Sequence, residues 1–395
     1  MKIELSEAQK ENQLTFRRFA QERIAPFAAE HDRTQRVSGE LLRKIAADGY
    51  LGSFLPRDQG GLGLDMISYG LLHEEFGKAC SSVRCLLTVH DMVTLAIRRW
   101  GSEAQRAAWL PRLARGEIIG AFAVSEPNVG SDANGVESTA VLSEDTFVLN
   151  GTKKWITFGQ IADVFLVLAK SDGKATALLV ERDRPGVAVS PIQGMLGMRG
   201  AMLAEVTFTD CRVPRQNLVA REGFGLSSVI FTALGLGRYT IAWGSVAIAQ
   251  ACLEACLRYA SERAQFKALL REHQLIQKML SEMTANTAAA RLLCCQAGYF
   301  RDIGDPREIM ATFVAKYFAS TIAMKAALDA VQIHGANGCS GDYSVERHLR
   351  DAKIMEIIEG STQIQEIAIS RFGFQEFERQ ILEEERSGKS AVVSI

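Results

Sequence analysis

The spacing of apolar residues along the chain first predicts a helical block. From about residue 6 to residue 115, apolar side chains such as Phe16 and Phe19 recur at steps of three and four residues, the period of a helix with one buried face. Ser6 and Gln9 have the spacing of a capping box, which places the start of the first helix directly after Ser6. Short clusters of Gly, Asp, Ser and Lys separate the helices of this block.

The period changes between residues 116 and 222. Short runs rich in β-branched and aromatic residues, such as TALLVERD and AEVTFTDCRV, alternate with turn pairs of the Asn-Gly, Asp-Gly and Pro-Gly type. This pattern is typical of strands joined by tight turns, and it predicts an antiparallel β domain.

Helical spacing returns after residue 223 and continues in long segments. Three of them cover residues 226–261, 272–301 and 306–334, and a further segment closes the chain. Four long amphipathic helices favour a bundle. The predicted fold is therefore mainly α with a central β domain, and the predicted domains are residues 1–115, 116–222 and 223–395. Strands and helices do not alternate, so a Rossmann-type domain is not expected.

Composition argues against several classes of protein. The 395 residues carry a formal net charge of −1, which disfavours binding to nucleic acid or to a membrane surface by bulk electrostatics. No apolar run approaches the roughly 20 residues that span a bilayer, and the polar start MKIELSEAQKENQ does not resemble a signal peptide. Eight scattered cysteines without a C-x-x-C pair indicate reduced thiols. We therefore expect a cytoplasmic protein.

One carboxylate near the C-terminal end has the surroundings of a general base. In RDAKIMEIIEGSTQIQ, an apolar helical run ends at Glu359 and Gly360, and a second run begins behind Ser361. Loss of hydration disfavours the charged form of a carboxylate, so we expect the pKa of Glu359 to lie above that of a free glutamate and closer to neutrality. The alternative is that Glu359 only caps the second helix together with Ser361.

Two stretches of the β block could contact a large planar ligand. In the loop AFAVSEPNVGSDANG, consecutive amides could form an anion nest, with the hydroxyls of Ser125 and Ser131 as further donors. The same loop could be a hairpin rich in Asn and Asp that binds nothing. In GTKKWITFG, Trp155 and Thr157 are two residues apart on a predicted strand and therefore point to one face. They could cover an aromatic ring and hydrogen-bond its nitrogen, or Trp155 could belong to the core.

Two turns of the C-terminal block are further candidates. Arg263 and Gln265 in ASERAQF could contact a phosphate or an adenine, or they could lie at a solvated helix end. VQIHGANGCSGDY has glycines spaced like a dinucleotide fingerprint, but no strand precedes it, so that interpretation fails. The six histidines show no spacing that suits a metal, and we expect no metal site.

Read in order, VSEPNVGSD, KKWIT, ERAQF, QIHGANG and RDAKIMEIIEGSTQIQ resemble the motifs of the acyl-CoA dehydrogenase superfamily. The resemblance runs from about residue 5 to residue 373. It implies that family's fold, which has a helical N-terminal domain, a β-barrel-like middle domain and a C-terminal four-helix bundle. It also implies FAD as the cofactor and assembly into a homotetramer or a homodimer.

The resemblance also implies roles for individual residues. Glu359 matches the catalytic base, and Gly237 occupies the place where some branches of the family carry the base instead. The positions that match FAD contacts are Phe122, Val124, Ser125, Gly130, Ser131, Trp155, Ile156, Thr157, Arg263, Gln265, Phe266, His273, Gln274, Gln332, Ile333, His334, Gly335, Ala336, Ser361, Thr362 and Gln363. The group from Arg263 to Gln274 would touch FAD of a neighbouring subunit. The positions assigned to the substrate are Ser131, Arg238 and Gly360.

The implied reaction is the oxidation of an acyl thioester. Glu359 would remove the α-proton while a hydride leaves for flavin N5. The backbone amide of Glu359 and a flavin ribityl hydroxyl would stabilise the enolate oxygen.

Departures from the usual motifs narrow the expected substrate. The segment GFGLSSVIFTALGLGR is longer than in members that oxidise fatty acids. Together with LLTVHDMV and REHQLIQ, it resembles the branch that serves polyketide and nonribosomal pathways. In that branch an acyl carrier protein holds the acyl group, as in hydroxymalonyl or aminomalonyl extender-unit synthesis. Gly235 and Leu236 stand where that branch is expected to have polar residues.

Three functions are consistent with these observations. The first is a dehydrogenase for a short polar acyl group on an acyl carrier protein. The second is a short-chain acyl-CoA dehydrogenase of catabolism, and the third is a flavin-binding scaffold without turnover. For the two enzymes, the electron acceptor would be an electron-transfer flavoprotein or oxygen.

Overall fold

The N-terminal part of the chain is helical, as the spacing of apolar residues predicts. The computed structural model describes residues 4–386. The helices of this part are α1 (Glu7–Phe19), α2 (Ala28–Thr34), α3 (Gly39–Ala47), α4 (Met66–Ala79), α5 (Ser81–Trp100) and α6 (Glu103–Ala114). The predicted capping box is present, because the Ser6 hydroxyl accepts from the Gln9 amide and the Gln9 side chain accepts from the Ser6 amide. α5 is buried over most of its length, so it is a core helix.

The middle of the chain forms a mixed sheet. Its strands are β1 (Gly120–Ala123), β2 (Thr139–Ser143), β3 (Thr146–Ile156), β4 (Val164–Ser171), β5 (Lys174–Glu181), β6 (Val187–Pro191), β7 (Ala204–Pro214) and β8 (Leu218–Val219). They pair in the order β6-β7-β3-β2-β4-β5-β8, and β1 lies beside β4. The prediction of a purely antiparallel domain is wrong, because β1 pairs with β4 in parallel and one residue of β2 does the same. β1 enters the sheet from α6 and not from a hairpin, so no tight turn forces it to run antiparallel.

Long helices follow the sheet. A π-helical turn (Gly225–Ile230) leads into α7 (Phe231–Glu262), and then come α8 (Gln274–Asp302), α9 (Glu308–His334), α10 (Val345–Ile357) and α11 (Thr362–Arg386). A small hairpin of β9 (Ala264–Gln265) and β10 (Ala268–Leu269) joins α7 to α8. The helices predicted at 226–261, 272–301 and 306–334 are confirmed to within a few residues. α7 packs against α8 and α9 and also against α4 and α5, so the two helical parts meet along it.

The expectation that no apolar run approaches the length of a membrane span is wrong for the α7 segment. The stretch Gly225–Glu262 is long and apolar enough, by length and composition, to cross a membrane. In the fold, 72% of its most apolar window is buried against the rest of the protein. A helix that is apolar all round is expected where other elements surround it, and α7 has that position.

Two apolar clusters connect the ends of β1 and β3 to the helices around them. Met92 of α5 belongs to a cluster against which Phe122 and Val124 pack. Met355 of α10 belongs to a second cluster that contains Phe158, which follows the end of β3. The candidate base lies four residues beyond Met355, and the site is built around this junction.

Candidate active site

Glu359 lies at the break between α10 and α11, as predicted. It adopts a left-handed backbone conformation with φ of 56°, and Gly360 follows with φ of 94°. A positive φ is uncommon for a residue with a Cβ atom, and it reverses the chain between the two helices. The turn carries the side chain to α7, where a Cβ atom placed on Gly237 would lie 2.7 Å from Glu359 Oε2. The carboxylate therefore packs over Gly237, and the missing side chain makes room for it.

The carboxylate has the dehydrated environment that a general base needs. Although the residue as a whole is half-buried, its Oε2 atom is buried and accepts no hydrogen bond within residues 4–386. Burial raises the pKa of Glu359 to about 7, while the attraction of Arg238, Lys316 and Arg84 acts in the opposite direction. This agrees with the predicted pKa near neutrality. The capping alternative fails, because the Ser361 hydroxyl, and not Glu359, accepts from the Ile364 amide at the start of α11.

Two cations hold the backbone of this turn. Arg238 Nε donates to the Glu359 carbonyl oxygen at 3.1 Å, and Lys316 Nζ donates to the Gly360 carbonyl oxygen at 2.7 Å. Burial lowers the pKa of Lys316 to about 8, against the attraction of Glu359. Because both cations bind carbonyl oxygens, they fix the turn without occupying the carboxylate. The structure gives Arg238 and Gly360 this role in the turn, and their contact with substrate stays a prediction.

A buried ion pair joins the loop and the strand that were predicted to contact the flavin. Lys153 Nζ on β3 donates to Glu126 Oε1 at 2.6 Å and to the Val124 carbonyl oxygen at 3.2 Å, and both charged side chains are almost completely buried. Glu126 also accepts from the Ser138 amide at 2.9 Å. The Lys154 amide donates to the Ser125 carbonyl oxygen at 2.9 Å. The loop is thereby attached to β3 at several points.

This ion pair was not predicted from the sequence. A signal was present, because Lys153 falls in the same alternation as the apolar Phe147 and Leu149 of this strand, and Glu126 stands inside the loop motif. A charged residue in a buried strand normally has a partner of opposite charge. The sequence does not show which carboxylate that partner is, since 27 positions separate the two residues.

Trp155 does not lie in the core, which settles one alternative. It has φ of 64°, and the register of β3 against β7 shifts between Lys153 and Ile156. Its side chain is 48% exposed, whereas Ile156 is buried. β3 ends at Ile156, so the argument that Trp155 and Thr157 share one face of a regular strand is wrong. The irregularity turns the indole outward, and Lys154 Nζ lies 5.0 Å from the centroid of its ring, so a planar ligand would stack on the opposite ring face.

The other predicted cofactor residues are spread over three regions. In the loop after β1, Gly130 and Ser131 are exposed, whereas Phe122, Val124 and Ser125 are half-buried. At the start of α11, Ser361 and Thr362 are half-buried and Gln363 is exposed. Near the C-terminal end of α9, Ile333 and His334 are buried, whereas Gln332, Gly335 and Ala336 are exposed.

The group from Arg263 to Gln274 lies far from Glu359. Phe266, at the tip of the β9–β10 hairpin, is 94% exposed, and its neighbours Arg263 and Gln265 are exposed as well. His273 contacts the Gln265 carbonyl oxygen, and Gln274 begins α8. A helix rises about 1.5 Å per residue, which puts Arg263 about 37 Å along α7 from Arg238. Within one chain, these residues and Glu359 therefore lie too far apart to line the same part of a binding site.

Comparison with known proteins places this geometry in a family. Residues 6–117, 121–211 and 223–374 match the domains described as the N-terminal, middle and C-terminal domains of acyl-CoA dehydrogenase. The chain belongs to the acyl-CoA dehydrogenase family. Among the relatives of this dehydrogenase is the probable acyl-CoA dehydrogenase YngJ of Bacillus subtilis strain 168, 38% identical over 94% of this chain and 99% of its own length. The short-chain specific acyl-CoA dehydrogenase of human mitochondria is 35% identical over 93% and 90%.

Solved structures confirm the three-part fold. Butyryl-CoA dehydrogenase from Megasphaera elsdenii superposes with a TM-score of 0.91 at 32% identity, over 95% of this chain and 100% of its own. FkbI, described as serving biosynthesis of the methoxymalonyl extender unit of the Fk520 polyketide, has a TM-score of 0.85 at 30% identity over 92% and 99%. The prolyl acyl carrier protein oxidase AnaB has a TM-score of 0.89 at 26% identity over 93% and 99%.

The dehydrogenase is a flavin-dependent oxidoreductase, and its cofactor is FAD. A glutaryl-CoA dehydrogenase from Mycobacterium smegmatis with a TM-score of 0.89 is described in complex with FADH2. The residues of this chain fit such a group. Trp155 offers an exposed indole, a Cβ atom placed on Gly130 would meet nothing within 4 Å, and Glu359 Oε2 has no partner in the described residues.

Proposed function

We propose that this dehydrogenase oxidises a short, polar acyl thioester that an acyl carrier protein delivers, with Glu359 as the base. The observation that carries the proposal is the Glu359 carboxylate, which is buried at Oε2, has no hydrogen-bond partner in residues 4–386 and has a pKa of about 7. A base whose pKa lies near the working pH is both deprotonated and strong enough to take a weakly acidic α-proton. The similarity to FkbI and AnaB supports a carrier-bound acyl group.

The residues in and around this turn have different roles in the proton transfer. Glu359 Oε2 accepts the α-proton. The Glu359 amide donates to no backbone oxygen in the described chain, so it is free to donate to the thioester oxygen as negative charge builds there. Arg238 and Lys316 hold the carbonyl oxygens of Glu359 and Gly360, the two that follow this amide in the chain, which keeps base and donor in a fixed relation. FAD, when bound, supplies the acceptor for the hydride.

The loop after β1 and the end of β3 would hold the flavin. Lys153 and Glu126 join them, so we infer that this ion pair positions the cofactor contacts without touching the cofactor itself. The neighbouring Val124 carbonyl oxygen and the Ser125 carbonyl oxygen are bonded to the same strand. A shift of the loop would therefore require breaking a buried ion pair as well as backbone hydrogen bonds.

We infer a homotetramer or a homodimer in which the β9–β10 hairpin contacts FAD of a second copy. Phe266 is 94% exposed, and both Phe266 and Lys267 have a positive φ. Strained turn residues that hold a large apolar side chain in solvent point to a binding role. The separation of about 37 Å along α7 excludes a contact of this hairpin with a ligand at Glu359 of its own chain, unless that ligand spans the helix.

A second candidate is a short-chain acyl-CoA dehydrogenase of catabolism, favoured by the similarity to the human short-chain enzyme. An electron-transfer flavoprotein or oxygen would reoxidise the flavin in either case, and we propose a cytoplasmic location. A scaffold without turnover is not supported, because it would gain nothing from a buried carboxylate oxygen that has no hydrogen-bond partner in residues 4–386 and is therefore costly to maintain.

Bleaching of the flavin separates the candidates. The purified flavoprotein is mixed with the same acyl group on CoA and on an acyl carrier protein, and mass spectrometry identifies the product from a panel of carrier-bound acyl groups. We expect faster bleaching by the carrier-bound form. Equal rates with both forms, or a preference for CoA, would support the catabolic enzyme instead. Glu359→Gln should retain FAD and show no bleaching, and full reduction of that variant by substrate would refute the assignment of the base.

A further inference from the structure

The loop between β6 and β7 lies against α10, the helix that ends shortly before the candidate base. We call this segment, residues 192–203, the linking loop. The Met198 amide donates to Asp351 Oδ1 of α10 at 2.5 Å. A Cβ atom placed on Gly197 would lie 2.3 Å from the Arg350 carbonyl oxygen, so the loop backbone touches the helix backbone where a side chain would not fit. The linking loop is therefore fixed to α10 at Asp351.

The other side of the linking loop is bonded to the chain that follows β3. The Phe158 amide donates to the Ala201 carbonyl oxygen at 2.8 Å, and the Gln160 amide donates to the Met202 carbonyl oxygen at 3.3 Å. The Gln160 side chain adds a bond from Nε2 to the Leu203 carbonyl oxygen at 2.8 Å. The residues just before Phe158 form the end of β3, which would hold the flavin. The linking loop thus also supports the proposed cofactor site.

Three hydrogen bonds connect α10 to this part of the chain in one continuous path. The first joins Met198 to Asp351, and in the second the Ala201 amide donates to the Met198 carbonyl oxygen at 3.0 Å. The third joins Phe158 to Ala201. Asp351 lies six residues before Ile357, the last residue of α10, which is about 9 Å along the helix. The path therefore runs from the helix that precedes the base to the end of β3.

The backbone is in an unusual conformation at both ends of this path and within it. Positive φ values occur at Trp155 (64°), Phe158 (54°), Met198 (50°), Met202 (47°) and Glu359 (56°). A residue with a Cβ atom keeps this conformation only where its surroundings hold it there, and such residues cluster at active sites. The hydrogen bonds of the linking loop are among the contacts that hold them.

Asp351 is a costly choice for a purely structural contact. It is 2% exposed, and the loop residues around its partner, Met198, Ala201 and Met202, are buried as well. Burial raises the pKa of Asp351 to about 6, whereas the bond from the Met198 amide and the charge of Arg347 act in the opposite direction. The carboxylate is therefore mostly ionised at pH 7, and its bond to the loop is charge-assisted and strong.

We propose that Asp351 is a positioning residue that, through the linking loop, fixes the separation between the Glu359 carboxylate and the flavin. The inference rests on the proposed function and names a residue that controls the geometry of that same site. In that reaction the α-proton leaves toward Glu359 while the hydride leaves toward the flavin, so one acyl group must reach both partners at once. A misplacement of about 1 Å can cost roughly 100-fold in rate. Asp351 itself takes no part in the proton transfer.

The test replaces Asp351 with two side chains of similar shape. Asp351→Leu cannot accept a hydrogen bond from the Met198 amide, whereas the amide oxygen of Asp351→Asn can. The FAD-loaded proteins are mixed with butyryl-CoA and with the same acyl group on an acyl carrier protein. We expect Asp351→Leu to bleach roughly 10- to 100-fold more slowly per bound flavin at saturating thioester, with an unchanged dissociation constant. Asp351→Asn should recover most of the rate.

Two further variants separate positioning from stability. Gly197→Ala forces the linking loop away from α10 from the opposite side, so it should lower the same rate, and adding it to Asp351→Leu should cause little further loss. Asp32→Asn is the matched control, because it breaks an ion pair of Arg350 on the same helix while Arg350 keeps Glu346. It should lower the melting temperature and leave the rate per bound flavin unchanged.

A measurement without thioester reads the same separation. Ionisation of a carboxylate beside the flavin changes the absorbance of the flavin, so the FAD-loaded wild type should give a pH difference spectrum with a midpoint near the Glu359 pKa of about 7. Glu359→Gln should abolish this spectrum. In Asp351→Leu the spectrum should lose amplitude at an unchanged midpoint, because the interaction weakens with distance.

Each outcome decides the proposal. A wild-type bleaching rate in Asp351→Leu overturns it, and so does an equal loss of rate in Asp32→Asn, which would indicate a general effect on α10. Absence of a Glu359-dependent difference spectrum in the wild type also overturns it. If no thioester bleaches the wild type but the amplitude falls in Asp351→Leu, the positioning role stands and the proposed dehydrogenation fails. Should Asp351→Leu not fold, Gly197→Ala provides the same comparisons.

Discussion

Replacing Glu359 with glutamine should make the protein more stable at alkaline pH while it abolishes reaction. The pKa of Glu359 rises from 4.5 to about 7 on folding, because burial disfavours its charged form. Between these two values the folded chain keeps a proton that the unfolded chain has lost, so ionisation disfavours folding progressively as the pH rises. The difference between these two pKa values corresponds to a loss of folding stability of roughly 3 kcal/mol, which is complete above about pH 7 and absent well below pH 4.5. Because part of the residue is exposed to water, this is an upper bound.

Glu359→Gln has the shape of the protonated carboxyl group and carries no such penalty. Melting temperatures of the FAD-loaded wild type and variant, measured at pH 5 and at pH 8, should differ by a few degrees at pH 8 and by much less at pH 5. Glu356→Gln is the matched control one turn earlier, where the carboxylate pairs with Lys353, and it should show no gain at pH 8. A Glu359→Gln variant that gains nothing at pH 8 relative to pH 5 would refute a carboxylate with a raised pKa.

Three other substitutions test the positions around the site. Lys153→Met leaves the buried Glu126 carboxylate without its cation, which should cost about 3 to 5 kcal/mol of folding stability. The variant should also purify with less FAD, measured as the ratio of flavin to protein absorbance, and a normal FAD content would contradict the positioning role of Lys153. Gly237→Ala places a methyl group 2.7 Å from Glu359 Oε2 and should displace the carboxylate, so turnover should fall about tenfold or more while FAD is retained. Unchanged turnover would show that the carboxylate does not react from its position over Gly237. Phe266→Ala removes a side chain that is 94% exposed, so the secondary structure should stay unchanged. If the hairpin contacts a second subunit, sedimentation should show weaker assembly and the flavin content should fall. Unaltered assembly would exclude the hairpin as a subunit contact.

The types of the elements could be predicted from the sequence because they depend on neighbouring residues. The three- and four-residue spacing around Phe16 and Phe19 is a property of one helix, and the capping box of Ser6 and Gln9 closes within a single turn. The end of α10 before Glu359 also follows from local pattern, since the apolar period stops there. The order of five short motifs was sufficient to indicate the family, and the family implies the cofactor.

The contacts that make the site depended on tertiary structure. Apolar spacing shows that one face of a helix is buried, but it does not show which residue meets it. The contact of Glu359 with Gly237 and the pairing of Lys153 with Glu126 each join residues from different elements, and each affects the ionisation of a carboxylate in the site. The sequence by itself therefore determined the elements and the family of this protein. The ionisation and partners of its reactive groups were decided only by folding, because burial and long-range contacts set the local dielectric environment.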